Sequence, residues 1–308
     1  MNLAGKNVVI TGASQGLGEA IAVAFADQGC QVMAVARSED RLAAVAKRVG
    51  GRYLVADLLS EPEVDGLVDC CIADFGHIDV WVNNAGVETS DAFVRVEPGD
   101  IRNLSRLNLE VPMMLTRYVL PHMLRRGSGQ IVNMSSLAGT IPWPGLAAYC
   151  GSKAGLTNFS ETLRLELRGS GVGVTVVAPG PVATDMWSRL DSDDKPYVAP
   201  AIRRFRQLGF LAKLEPETVA TSVVKAVAEG KPWVRPAARY QGYHMLNNAP
   251  RRIVRAALTG VKLPLPRLEE EGSRDGARFS AAGEGASGRS DISERIEEIL
   301  DDEMGKST

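Results

Sequence analysis

The chain is poor in cysteine. Four are present among 308 residues, Cys30, Cys70, Cys71 and Cys150. None has the spacing of a metal site, and the neighbours Cys70 and Cys71 make a poor disulfide. The sequence therefore reads as a reduced chain of the cytoplasm with no bound metal. No apolar run reaches the ~18 residues a membrane-spanning helix needs. An excess of one charge is lacking too. The 35 Lys and Arg nearly balance 37 Asp and Glu, for a net −2, which offers nothing to a nucleic acid backbone. A secretory leader is also missing from this reading, because a strand pattern begins at Asn7. What remains is ordinary: 45% apolar and 23% charged residues, enough for one large α/β domain or two small ones.

Short apolar runs alternate with longer amphipathic stretches. The runs predict strands at Asn7–Ile10, Gln31–Ala36, Arg52–Ala56, Asp79–Asn83, Gln130–Met134, Gly173–Ala178 and Trp233–Arg235. The stretches predict helices at Gly16–Gln28, Asp40–Val49, Pro62–Phe75, Pro98–Leu109, Pro112–Arg126, Ala147–Arg168 and Glu217–Glu229. Several strands are β-branched on both faces, as expected where helices cover both sides of a parallel sheet. The alternation predicts a Rossmann-like, doubly wound parallel sheet of about seven strands over residues 1–235. In such sheets ligands bind beyond the carboxyl ends of the strands. Gly12, Asp57, Asn84, Ser136 and Gly180 all fall there.

Two motifs carry chemistry. Tyr149 and Lys153 stand four apart in Tyr149-Cys-Gly-Ser-Lys153, which places both on one face of a helix. A cation near a phenol favours the ionised form, so the pair reads as a tuned acid, with Lys153 lowering the pKa of Tyr149. The second is Thr11-Gly12-Ala-Ser14-Gln15-Gly16-Leu17-Gly18, between an apolar run and a helical pattern. Strand, glycine turn and helix present bare N–H groups and a helix N-terminus to a pyrophosphate. Asn84-Ala85-Gly86 and Ser136, thirteen residues before Tyr149, complete the set.

Taken together these motifs resemble the short-chain dehydrogenase/reductase family over roughly residues 3–235. The resemblance implies the strand order 3-2-1-4-5-6-7, pairing of copies through the helices at Pro98–Arg126 and Ala147–Arg168, and a homodimer or homotetramer. It implies catalysis by Asn108, Ser136, Tyr149 and Lys153. Ser136 would hold a carbonyl oxygen, Tyr149 would pass the proton, Lys153 would also bond the nicotinamide ribose, and Asn108 would support a water linking Lys153 to solvent. Ser136 could equally be a strand-end serine capping the next turn, and Asn108 a buried amide bonded to backbone. The cofactor would lie along Gly12, Ser14, Gln15, Gly16, Leu17 and Gly18, then Asp57 and Leu58, then Asn84, Ala85 and Gly86. Pro179, Gly180, Val182 and Thr184 would hold its nicotinamide end.

Cofactor choice turns on the end of the second strand. Ala36 stands where relatives using NAD carry Asp, and Arg37 follows. A guanidinium suits a 2′-phosphate. Gln15, where many NADP-using relatives carry a base, argues the other way. NADP is the expectation and NAD the alternative.

Residues 184–213 read as a substrate lid. With Trp143, its Met186, Trp187, Tyr197 and Phe205 predict a bulky, apolar, lipid- or steroid-like ketone, aldehyde or alcohol. Packing of the lid on the protein's own core would use the same residues. The lid also carries the acidic cluster Asp191, Asp193 and Asp194. Cys150 reads as packing. Beyond the family's reach, residues 231–267 carry eight Lys/Arg and no Asp/Glu. Three readings compete there: plain packing, pairing with the acidic tail 269–308, or peripheral contact with an anionic membrane. A short helix is predicted over 291–302, behind a capping box of Asp291 and Glu294. Two other functions are weighed. A sugar-nucleotide epimerase or dehydratase would show a T-G-x-x-G-x-x-G loop and a longer substrate domain. A silent NADP-binding scaffold would have lost Ser, Tyr or Lys.

Overall fold

A computed structural model describes residues 1–191, 197–207 and 213–236. The predicted extension beyond 236, the acidic tail and its helix lie outside the described residues, as do Asp193 and Asp194. Seven strands form one parallel sheet in the order β3-β2-β1-β4-β5-β6-β7. They are β1 (Asn7–Thr11), β2 (Gln31–Ala36), β3 (Arg52–Val55), β4 (Val80–Asn83), β5 (Gly129–Met134), β6 (Val172–Val177) and β7 (Trp233–Val234). The order matches the one the resemblance implies.

Alternation along the strands builds two cores. Val8 and Ile10 point to one side, with Val32, Ala34, Val80 and Val82. There they meet α1 (Gly16–Ala26), α2 (Glu39–Val49) and α9 (Pro216–Glu229). Val9, Met33, Trp81 and Ile131 point to the other. That side is covered by α3 (Glu61–Phe75), α5 (Val111–Arg126) and α6 (Ala147–Glu166). Each such side chain contributes about 1.5–3 kcal/mol of burial. Polar atoms inside the sheet are paired. Trp81 Nε1 donates to Asn83 Oδ1 at 2.8 Å. Asn83 Nδ2 donates to Asn133 Oδ1 at 2.8 Å, and Asn133 Nδ2 to Ser160 Oγ at 2.8 Å.

Local chemistry sets the helix ends. Proline opens α3, α5 and α9 in the first turn, and Gly50, Gly127 and Gly230 close α2, α5 and α9 in the left-handed conformation. One expected boundary is corrected. α4 (Pro98–Ser105) stops short of Leu109, and residues Arg106–Glu110 form a π-turn leading into α5. The pyrrolidine of Pro112 would clash with the carbonyl four residues back, that of Asn108, and a π-turn relieves the clash. Two helices missing from the sequence reading lie in the lid: α7 (Asp185–Leu190) and α8 (Ala199–Gln207).

The end of the sheet away from the strand carboxyl termini is tied by Asp79. Its side chain is 3% exposed and meets Lys6 Nζ at 3.2 Å and Arg126 Nη2 at 3.0 Å. It also meets His77 Nε2 at 3.2 Å and accepts the Asn7 N–H at 3.0 Å. Burial pushes this carboxyl up, but the Asn7 N–H, Arg126 and Lys6 outweigh it and hold the pKa below the ordinary carboxylate value. A depressed folded-state pKa stabilises above the unfolded value of ~3.9 and ceases to as pH falls through the folded one. Asp79→Asn should cost about 2 kcal/mol at neutral pH. Its thermal midpoint should also fall less steeply than wild type below about pH 4. Equal midpoints at neutral pH would remove Asp79 from this role.

Candidate active site

The carboxyl ends of β1 and β4 are stitched together by one hydroxyl. Thr11 Oγ1 accepts the N–H groups of Asn84 at 3.0 Å and Ala85 at 3.1 Å. Asn84 Nδ2 returns a bond to the Thr11 carbonyl at 2.9 Å. The glycine loop packs against this stitch with no space for side chains. A Cβ on Gly12 would stand 2.7 Å from Ala85 Cα, and one on Gly18 would stand 2.2 Å from the Gly12 carbonyl oxygen. Bare backbone and the start of α1 thus line a cleft of about 860 Å³. That geometry fits a pyrophosphate.

Across the cleft stand Ser136, Tyr149 and Lys153. Ser136 Oγ accepts the Ala138 N–H at 3.1 Å, capping the turn after β5, and also bonds the Tyr149 phenol. The cap does not turn this serine away from the phenol. Ser135 faces away, donating to the Lys153 carbonyl at 3.0 Å. Lys153 is 5% exposed, with Nζ 2.8 Å from the Met134 carbonyl oxygen and 5.8 Å from the Tyr149 ring centre.

Here the electrostatic expectation is corrected. Burial pushes the phenol up to about 12, against the hydrogen bond from Ser136, and Cys150 and Glu88 add to the rise. Burial acts on Lys153 as well, lowering its pKa to about 8. A desolvated ammonium is itself disfavoured. At neutral pH the ligand-free phenol is therefore fully protonated, the form that donates.

Asn108 is wholly buried. Its Oδ1 accepts the Val87 N–H at 2.9 Å, and its Nδ2 donates to the Val87 carbonyl at 2.8 Å and to Ser152 Oγ at 3.2 Å. It fixes the backbone of the segment after β4 rather than lining the cleft. Every other predicted site residue lines it: Gly12, Ser14, Gln15, Gly16, Leu17, Gly18, Arg37, Asp57, Leu58, Asn84, Ala85, Gly86, Ser136, Trp143, Tyr149, Lys153, Pro179, Gly180, Val182, Thr184, Met186 and Trp187.

The profile of the short chain dehydrogenase family matches residues 6–195. This chain belongs to that family. It is 34% identical over 197 residues to the 3-oxoacyl-[acyl-carrier-protein] reductase FabG of Escherichia coli (strain K12), covering 63% of this chain and 81% of the relative. It is 35% identical to the 3beta-hydroxysteroid dehydrogenase 1 of Eggerthella lenta, over 72% of this chain and 86% of that one. Among solved structures, a metagenomic short-chain oxidoreductase in complex with NADP superposes with a TM-score of 0.63 at 30% identity. That match covers 77% of this chain and all of the other.

In this short-chain dehydrogenase one part of the cleft is apolar. Trp143, Leu146, Trp187, Leu190, Val198 and Ile202 make an apolar wall. Of the lid aromatics, Tyr197 and Phe205 follow the packing reading and do not line the cleft. Tyr197 is buried under the Arg95 guanidinium, 5.1 Å from its ring centre, and Phe205 packs on Trp143 with centroids 4.8 Å apart. Phe205, on α8, thus supports the wall from behind. Asp191 is paired to Arg206 at 2.6 Å. The cleft lining also carries a residue the sequence reading missed. Glu88, 7% exposed, faces Arg189 of α7 at 3.9 Å. Its position two residues after Gly86 was the available signal.

The pKa order generates a measurement. In the near ultraviolet, the difference between wild type and Tyr149→Phe should show no phenolate from Tyr149 at or below the ordinary phenol pKa of ~10. A phenolate signal near neutrality in the ligand-free protein would refute the burial argument.

Proposed function

We propose that the chain is an NADP(H)-dependent oxidoreductase interconverting a ketone or aldehyde and an alcohol. The observation that carries this is the convergence, in one cleft, of a bare glycine loop with Ser136, Tyr149 and a buried Lys153. The cofactor supplies the hydride. Ser136 and the phenol converge where a carbonyl oxygen would sit, and Tyr149 hands its proton to that oxygen in reduction and takes it back in oxidation. Lys153 places a donor beside Gly86, whose Cβ, if present, would stand 3.5 Å from Nζ and 2.9 Å from Asn108 Oδ1. The bare backbone there leaves room for a ribose. Asn108 acts through the Val87 peptide it clamps.

NADP is favoured over NAD by Ala36 and Arg37 at the β2 end of the cleft, and by the NADP carried by the metagenomic relative. A bulky apolar substrate is supported by the tryptophan wall and by relatives named for 3-oxoacyl and 3β-hydroxysteroid substrates.

The deciding experiment screens NADPH and NADH oxidation against steroid ketones, acyl ketones, quinones and sugars. Tyr149→Phe should reduce turnover of any substrate found by ~10²–10⁴-fold while cofactor affinity by fluorescence stays nearly unchanged. Retention of a tenth or more of the activity would take Tyr149 out of the acid role. Arg37→Asp should weaken NADPH and spare or improve NADH, since a charged contact is lost and a repulsion added. A wild type that already prefers NADH would defeat the cofactor reading.

Self-association follows from α6. Its outer face shows Ala147, Gly151, Ala154, Asn158, Thr162 and the 56%-exposed Leu165, with Met113 and Met114 exposed on α5. Small side chains over twenty helical residues let a second copy approach closely. Light scattering at micromolar concentration should give a dimer or tetramer, and a monomer would refute the pairing.

A further inference from the structure

At the open end of the cleft the glycine loop carries no base. Gln15 fills the last position before Gly16 and lines the cleft beside Ser14 and Arg37. Its side chain is not idle: Oε1 accepts a hydrogen bond from Nη1 of Arg41, on the first turn of α2. Arg48, seven residues on, lies on the same face and reaches the same helix, α1, where it meets Glu19 Oε1 at 2.9 Å. The two contacts form a ladder between α2 and α1, yet they differ in charge. Arg48 is neutralised by a carboxylate, whereas Arg41 is held by a neutral amide and keeps its full positive charge.

Among the described residues no carboxylate forms an ion pair with Arg37 or Arg41. Glu39 and Asp40 share the first turn of α2 and are the acids next to them in sequence. Asp57, just beyond the neighbouring strand β3, turns an oxygen to the Leu59 N–H at 3.0 Å. Ala36 brings no carboxylate at all. Two guanidinium groups without a carboxylate partner therefore stand at this end of the cleft: Arg37 in its lining, and Arg41 behind it on a hydrogen bond to Gln15, which lines it.

We propose that Arg41, positioned by Gln15, joins Arg37 in binding the 2′-phosphate of the cofactor. Helix α2 thus supplies the charge that the glycine loop lacks. The inference rests on the NADP reading above. It makes Gln15 a positioning residue for a base, not a mark against NADP. It also accounts for the amide: Glu at position 15 would cancel the charge that Gln leaves intact. Planar, multiply donating guanidinium groups suit a phosphate better than ammonium does, so Lys should not replace Arg41 fully.

The test uses the full chain and two probes, adenosine 2′,5′-bisphosphate and adenosine 5′-monophosphate, titrated by calorimetry at low and high salt. Wild type should prefer the bisphosphate, and salt should shrink the preference because both arginines are exposed. Arg41→Ala should lower bisphosphate affinity about tenfold or more and leave the monophosphate unchanged. Gln15→Glu should do the same, with α2 and α1 still bridged. A wild type without preference for the bisphosphate would sink the NADP reading itself. A wild-type preference that survives Arg41→Ala would overturn the role of Arg41 alone. Equal loss of both probes would make Arg41 a support of the loop fold and would likewise overturn the proposal.

Discussion

The ammonium of Lys153 sits almost wholly out of water, with the Met134 carbonyl as its hydrogen-bond acceptor. Removing a charge from water is expensive unless partners replace the solvent, and much of the surrounding structure answers that demand. The end of β5 supplies the carbonyl. Gly86 keeps the facing backbone bare. Ser135 anchors the Lys153 peptide from the strand side. The charge is still not fully compensated, which is why the lysine's pKa falls toward neutrality. An incompletely satisfied cation next to bare backbone is a site built to be completed by a ligand.

The same logic separates the two hydroxyl-bearing neighbours. Burial raises the pKa of Tyr149, and Ser136 opposes that rise with a hydrogen bond that favours the charged form. Whatever occupies the cleft must shift this balance, since only a difference between bound and free states can move a proton. Glu88 disfavours the phenolate from a distance, so the segment that Asn108 holds at Val87 bears on the phenol as well as shaping the cleft.

Much of this was legible in the sequence because spacing survives folding. Four residues on a helix place Tyr149 above Lys153 in any environment; glycines at 12 and 18 are demanded by backbone contacts that side chains would block, and Gly16 by its left-handed φ of +58°. The strand order came from resemblance, since periodicity carries no information about neighbours in a sheet. What spacing could not give was environment. The phenol's pKa went up rather than down because burial of both groups outweighs their proximity. Asn108 reads as a helix-interior residue until Pro112 is seen to force a π-turn beneath it. The lid helices escaped notice because α7 is six residues long and α8 nine, too short for a periodic signal. The contact between Gln15 and Arg41 joins residues 26 apart on two helices, and no local pattern announces it.

The buried amide chain from Trp81 through Asn83 and Asn133 ends on Ser160. Ser160 is eleven residues beyond Tyr149, about three full turns, so it lies on the same stripe of α6 as Tyr149 and Lys153. The chain therefore acts as a key in a slot. It sets the azimuth of the helix against the sheet, three turns away from the chemistry. A neighbouring subunit pressing on the smooth outer face of α6 can bear on it or slide along it, but cannot roll it. Rotation by a single residue would swing the phenol through ~100° and break the amide chain in the same motion. The helix can thus serve as a contact surface on one side while the acid on the other side keeps its aim.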